Sequence, residues 1–513
     1  MPEDILKKIK QNIPITWKAC FVSAMVVGLV AHLYKLTNWL PNWDSLVFRY
    51  DPQNMIGLGR WFLPVVCAPS SYYDLPWLAG LLCLLFHGLG AVCICSMFRV
   101  RKNTTAMLIG ALIISFPTVT SVLMYNYVAD GYAIAFLLSC LAAKFLVSEK
   151  PRYVVSVICI ALSAGIYQAY ITVTIMLLLC YLIMEALYED TTAVRLIQKS
   201  LKALVAGFLG MVLYYLIMTL ILNITNTVLL DYQGASNALS LESMNLLGAL
   251  YTIKHSFTDY FFDFSNGVSV FSMLNCLILA MTVALYIAAV IQRRTSLGKL
   301  LLIAAYVILL PIGASILAFI NSSVDYHNLM KMGFAVFYLF LILAYERSDF
   351  KKPALSAAKA WAILGVTTIL VFNHVIIANI SYHKLNMAYE KSYGMLIRIA
   401  DRIEQTEGAD ACDRILVLGA PENSEAYSVD LPPDMTGTTD GLILRADDEI
   451  VGQSVLCSAL NDYCGTNYQF VAGEEKRALL EKLQLEKVGV WPASDSIFVA
   501  DGTIVISLGK EVQ

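Results

Sequence analysis

Apolar residues along this chain come in runs of about 20, the length a helix needs to cross roughly 30 Å of hydrocarbon. Short polar stretches separate them. The pattern predicts eleven membrane helices, near 17–37, 76–98, 104–124, 131–147, 153–168, 169–187, 203–223, 268–290, 300–320, 331–346 and 358–380. The stretch from Tyr153 to Leu187 is too long for one span and too short for two full ones. It divides at "GIYQAY", where Gly165 and the polar Gln168 interrupt the apolar run; one long tilted helix is the alternative. Lys and Arg arbitrate. With the division, about 20 of those before Ile380 fall on one side of the membrane and about 5 on the other, and the positive-inside rule makes the richer side cytoplasmic. A single span would put later basic loops outside. The expected topology therefore has the N-terminus inside and the C-terminus outside.

After Ile380 the pattern changes. "YHKLNMAYEKSYGMLIRIADRIEQTEG" has apolar residues at helical spacing between charges and reads as a soluble amphipathic helix. "RILVLG" is strand-like, "EEKRALLEKL" helical, and "SIFVADGTIVISL" pairs two β-branched runs around an Asp-Gly turn. Residues 381–513 are expected to form a small extracytoplasmic α/β domain. Its cysteines, Cys412, Cys457 and Cys464, allow one disulfide in an oxidising compartment, with the pair left open. The other nine lie in or beside spans and read as small apolar residues. The polar "MPEDILKKIKQNIPITWK" is unlike a cleavable signal, so the first span is expected to be a retained anchor.

Composition agrees. The chain of 513 residues is 58% hydrophobic and 15% charged, with a mean hydropathy of +0.66. Soluble domains carry roughly 25% charged residues. The expected fold class is a polytopic α-helical membrane protein of about 11 transmembrane helices. No basic block or zinc-finger spacing points to nucleic acid. No P-loop or Rossmann glycine pattern is present.

Under this topology, chemistry-bearing residues collect at the outer face, in the loops 38–75, 125–131, 223–267 and 321–331. The first loop, "NWDSLVFRYDPQNMIGLGRW", holds Asp44, Arg49, Asp51 and Arg60; "YNYVADGY" holds Asp130; the "IYQAY" corner holds Tyr167, Gln168 and Tyr170. The fourth loop has Asp231, Glu242, Lys254 and His255, and the fifth, "NSSVDYHNLMK", has Asp325, His327 and Lys331. No ATP is available there, so group transfer needs an activated donor that arrives in the lipid. A polyprenyl-phosphate sugar is such a donor. Its chemistry asks for a carboxylate to take a proton from an acceptor hydroxyl and for cations to receive the departing phosphate.

The plan resembles the membrane glycosyltransferases of the GT-C type. More narrowly, it resembles the bacterial serotype-converting glucosyltransferases that decorate O-antigen, through "NWDSLVFR" with "GLGRW", "GIYQAYITV" and "WPASDSIFVADGTIVISLG". Asp44 departs from the pattern in lacking an adjacent second acid. The resemblance implies a glucosyltransferase of the bacterial inner membrane, working from a polyprenyl-phosphate sugar onto a polysaccharide acceptor, with inversion, and supplied by a separate donor synthase and flippase. It implies Asp44 as general base and Asp130 as second acid. Arg60 and Lys331, assisted by His327, would bind the donor phosphate; Tyr167, Gln168 and Asp51 would contact sugar or acceptor.

Each residue has a plainer reading. Asp44 is a solvated loop acid, Asp130 a helix-dipole partner, Arg60 an interfacial anchor, Lys331 a snorkelling cation, and Gln168 part of a structural corner. His87, in mid-span, reads as hydrogen-bonded between helices. The histidines lack metal-ligand spacing, and a divalent cation bridging Asp44 and the donor phosphate stays open. The rival functions are a lipid-linked sugar flippase or exporter, disfavoured by the lack of an internal repeat, and a non-catalytic subunit of a polysaccharide assembly complex.

Overall fold

The computed structural model describes residues 13–41, 45, 55–71, 73–230, 245–264, 268–322, 324, 326–347, 353–419, 449–482 and 488–509. They form two compact units. The first comprises the described residues of 13–37 and 55–379, and the second those of 38–45 and 380–509.

Among the described residues the regular elements of the first unit are all helices. Its elements are α1 (Ile15–Thr37), the short α2 (Leu63–Cys67), α3 (Pro76–Met97), α4 (Asn103–Ser115), α5 (Pro117–Met124), α6 (Asn126–Val147), α7 (Tyr153–Ile166), α8 (Ile171–Tyr188), α9 (Ala193–Thr225), α10 (Leu246–Phe262), α11 (Val270–Gln292), α12 (Leu297–Ala314), α13 (Ala335–Glu346) and the first half of α14 (Pro353–Glu404). Among the described residues nine helical segments are long and apolar enough to cross a membrane, and two shorter apolar ones, Tyr153–Ile166 and Met332–Glu346, bring the set to eleven. Each overlaps one of the expected spans. The "GIYQAY" division is real: α7 stops at Ile166, Tyr167 is extended, and a 3-10 turn (Gln168–Tyr170) leads into α8.

Three features depart from expectation. The third span is broken, because Phe116 precedes Pro117 and takes ψ 136, out of the helical region. The expected loop 125–131 is nearly all helix: only Tyr125 separates α5 from α6, so Asp130 lies inside α6. In such a buried segment backbone groups must bond to each other, which favours helix over loop. The fourth loop contains α10, capped by Asn245, whose side chain accepts from the Gly248 N–H.

The basic connections meet at one end of the bundle. Arg99 pairs with Glu149 at 2.9 Å, Arg347 with Glu189 at 3.3 Å, and Lys199 with Glu185 at 2.5 Å. Glu346, at the end of α13, accepts from the Arg101 N–H at 2.8 Å and the Thr105 hydroxyl at 2.6 Å. Its charge sits at the N-terminus of α4, where exposed N–H groups and the helix dipole favour an anion. His87 differs from its expected role: its Nδ1 bonds the Cys83 carbonyl one turn back at 2.9 Å, and its ring stacks on Phe136.

The second unit contains the rest of α14, a four-stranded sheet, α15 (Glu449–Cys464) and α16 (Gly473–Lys482). The strands β1 (Arg414–Leu418), β2 (Gln469–Phe470), β3 (Ile497–Ala500) and β4 (Thr503–Ser507) lie in the order β2-β1-β4-β3. β1 is parallel to both its neighbours, while β3 and β4 form the expected hairpin about Asp501 and Gly502, both at positive φ. The soluble amphipathic helix is the continuation of the last span in one helix of 52 residues. All twelve cysteines are free. Burial pushes the Cys457 thiol up to about 11, which keeps it protonated near neutrality.

Removing the charge that caps α4 should loosen the bundle. Glu346→Ala is expected to lower the melting temperature in detergent by an amount equivalent to about 1.5–3 kcal/mol, and Glu346→Gln by less. Thermal unfolding of the purified variants checks this; an unchanged melting temperature for Glu346→Ala would refute the capping role.

Candidate functional site

The end of the bundle opposite the basic connections carries a hydrogen-bonded seat for the first loop. Residues 55–62 are folded against the α7–α8 corner. The Phe62 N–H donates to the Gly165 carbonyl at 2.8 Å, and the Gln168 side chain donates from Nε2 to the Leu58 carbonyl and to the Tyr214 hydroxyl, both at 3.0 Å. Tyr214 in turn donates to the Gly59 carbonyl at 3.1 Å. Gly59 is at φ +74, and a Cβ there would come within 2.6 Å of the Tyr214 hydroxyl. Trp61 packs with Ala161, Ala164, Tyr214 and Met218, its ring flat on Gly165, where a Cβ would lie 2.6 Å from Cε2. The sequence motifs "GLGRW" and "GIYQAY" are two halves of one contact.

That seat fixes Arg60. Its Nη1 donates to the Tyr132 hydroxyl at 3.1 Å, and its guanidinium lies 4.7 Å from the centroid of Tyr167. Tyr132 and Tyr167 stack at 4.8 Å, with Tyr170 against both. A cation held over a ring gains roughly 0.5–2 kcal/mol, more as water is removed. Two ring donors of this assembly, the Trp61 indole N–H and the Tyr170 hydroxyl, are buried without a hydrogen-bond partner. Buried polar groups are nearly always paired, so the assembly has hydrogen-bonding capacity left over.

Asp130 is 1% exposed. Its carboxylate accepts from the Gly131 N–H at 2.9 Å, with Cys67 and Ser70 beside it; the Ser70 hydroxyl donates to the Cys67 carbonyl at 2.9 Å. It faces the turn after α2. Lys331 is also buried, at 6% exposure, between the 3-10 turns Asn328–Met330 and Met332–Phe334. Its ammonium lies 5.6 Å from the Tyr260 ring centroid. His327 caps the first of these turns, which packs on α5; the second packs on α8, with Gly333 against Thr172. Asp44, Arg49, Asp51, Asp231, Glu242 and Asp325 lie outside the described residues. Among the described residues no three His, Cys, Asp or Glu side chains could hold a metal.

Sequence reasoning passed over three groups at this end or in the adjoining core. Asp74, just before α3, accepts from Asn126 Nδ2 at 2.9 Å, and its second oxygen is buried and unbonded. Lys35, in the last turn of α1, is fully buried, with Asp74 as its electrostatic neighbour. Their signal was a lysine inside a span on the side where positive charge is disfavoured. His374, in α14, is enclosed by the rings of Phe116, Phe271 and Tyr338, and neither ring nitrogen has a hydrogen-bond partner.

A family model described as Glucosyl transferase GtrII matches residues 33–369. The matched region includes the seat, Arg60, Asp130 and Lys331, and ends before the part of the second unit that begins at residue 380. No curated protein and no solved structure matches the chain.

The packing makes a test independent of activity. Gly165→Ala forces a methyl group into Trp61 and should cost about 1–3 kcal/mol of stability. Combining it with Trp61→Leu should cost less than the sum of the two single changes, since residues in contact are non-additive. Additive losses in melting temperature would count against the seat.

Proposed function

Because the chain belongs to the Glucosyl transferase GtrII family, we propose that it moves glucose from a polyprenyl-phosphate donor to a hydroxyl of a surface polysaccharide, at the outer face of the bacterial inner membrane. The carrying observation is the Arg60–Tyr132–Tyr167 assembly. It holds a half-buried guanidinium against two rings, where its planar donors suit a phosphate. The loop that brings it also carries Asp44, sixteen positions earlier. The uneven distribution of Lys and Arg supports an orientation with this end outside.

In the proposed reaction the acceptor oxygen attacks the anomeric carbon as the bond from that carbon to the phosphate oxygen breaks. Asp44 takes the acceptor proton. The electron pair leaves with the polyprenyl phosphate, whose charge Arg60 and Lys331 receive. A single displacement inverts the anomeric configuration. Tyr167, Gln168 and Asp51 are assigned to the sugar or acceptor, Tyr167 through its ring face, and His327 to shaping the turn that holds Lys331. Asp130, against the turn Ala68–Ser70 that follows α2, is assigned as the second acid. A cytoplasmic synthase and a flippase would supply the donor.

The test is turnover by the full-length protein in nanodiscs, given polyprenyl-phosphate glucose and delipidated polysaccharide acceptor and followed by release of polyprenyl phosphate. Wild type should turn over, and Asp44→Asn should fall by about 10²–10⁴-fold, the range for losing a general base. Equal rates would remove Asp44 from the mechanism. Transport of intact donor without release would favour a flippase.

A further inference from the structure

We propose that four rings of the second unit, Trp39, Tyr389, Tyr393 and Tyr463, form a platform that binds the saccharide acceptor. The inference rests on the glycosyl-transfer reading and adds to it where the acceptor is held. The rings form one contiguous patch. Trp39 meets Tyr463 at 5.8 Å, Tyr463 meets Tyr393 at 5.6 Å, and Tyr393 lies near-parallel to Tyr389 at 6.2 Å and 15°. These are ordinary separations for paired rings. None of the four is buried, and Tyr393 is 38% exposed.

In the unit's core Met395, Leu396, Ile399 and Ile403 of α14 meet the sheet and α15; Tyr389 and Tyr463 pack against that core, and Tyr393 and Trp39 extend the patch beyond it. Tyr389 and Tyr393 stand one turn apart on α14, at the rim of the stripe that carries Leu396. Beside them, one row over, Asn386 donates to the Glu390 carboxylate at 2.9 Å, both on the exposed side. The result is a half-exposed aromatic surface with an amide and a carboxylate at its margin.

That chemistry fits a pyranose. The C–H face of the ring is apolar and packs on an aromatic face, while its hydroxyls point sideways to donors and acceptors. Specific sites combine mostly apolar walls with a few placed polar groups in this way. An acyl chain would use the rings but leave the polar margin without a purpose. Position supports the same occupant: Trp39 precedes Asp44 by five residues, so one short segment joins the platform to the proposed base. The three tyrosines lie beyond the residues that match the family.

The test uses the full-length protein in nanodiscs and, as probe, delipidated surface polysaccharide from the bacterium that expresses it. Binding is read by tryptophan fluorescence, and the KM for acceptor by release of polyprenyl phosphate. Tyr393→Ala should weaken binding about tenfold and raise the acceptor KM by a similar factor, with the donor KM as in wild type. Tyr393→Phe, which keeps the ring, should stay within about twofold of wild type. Trp39→Phe should weaken binding less than Tyr393→Ala. Wild-type binding in Tyr393→Ala, or no binding by wild type, overturns the platform. An equal loss in Tyr393→Phe would assign the effect to the hydroxyl and also overturn it. If binding depends on Tyr393 but wild type releases no polyprenyl phosphate, the platform stands and the transfer reading falls. If release is normal and the acceptor KM ignores Tyr393, the reverse holds.

Discussion

The arrangement at the loop end of the bundle depends on one contact, the seating of residues 55–62 on the α7–α8 corner. An extended residue and a 3-10 turn interrupt the helix there, and the freed backbone is used: Gly165 and Leu58 offer carbonyls that the loop and Gln168 satisfy. Broken backbone at membrane depth is tolerated where protein covers it. The same covering places Arg60 over Tyr167. A residue larger than glycine at 165 would lift Trp61, and Arg60 would follow.

Charge is separated by burial as well as by topology. At the basic end, ion pairs join neighbouring connections; Arg99–Glu149 and Arg347–Glu189 are exposed or half-exposed and worth little alone, while Glu185 is buried beneath Lys199. At the other end Lys331 is buried beside Tyr260, Lys35 is buried inside α1 near Asp74, and Arg60 is half-buried among tyrosines. Enclosed cations are costly unless something anionic is near. An end that concentrates them suits a ligand that brings negative charge through the lipid.

Much of this was legible in the chain. The eleven apolar runs, the division at "GIYQAY" and the Asp-Gly hairpin follow from period and from turn chemistry, which are local. The contact between "GLGRW" and "GIYQAY" was not, because nothing local says that Phe62 will find Gly165, more than a hundred positions away. The break at Phe116 could have been read from the proline that follows. The helical state of 126–131 could not, since an aspartate and a glycine in sequence read as a loop until tertiary packing forces their backbone into helix. Asp74 and Lys35 escaped for a related reason: the lysine is out of place for its side of the membrane, but only the fold sets it near Asp74.

The most direct test of the account is the affinity of the full-length protein in nanodiscs for polyprenyl phosphate, wild type against Arg60→Gln. If Arg60 receives the donor phosphate from its tyrosine seat, the variant should bind about 30-fold more weakly, near 2 kcal/mol, while keeping its fold. Equal affinity in the two proteins would contradict the claim that the loop is seated there to present a cation to the lipid phosphate.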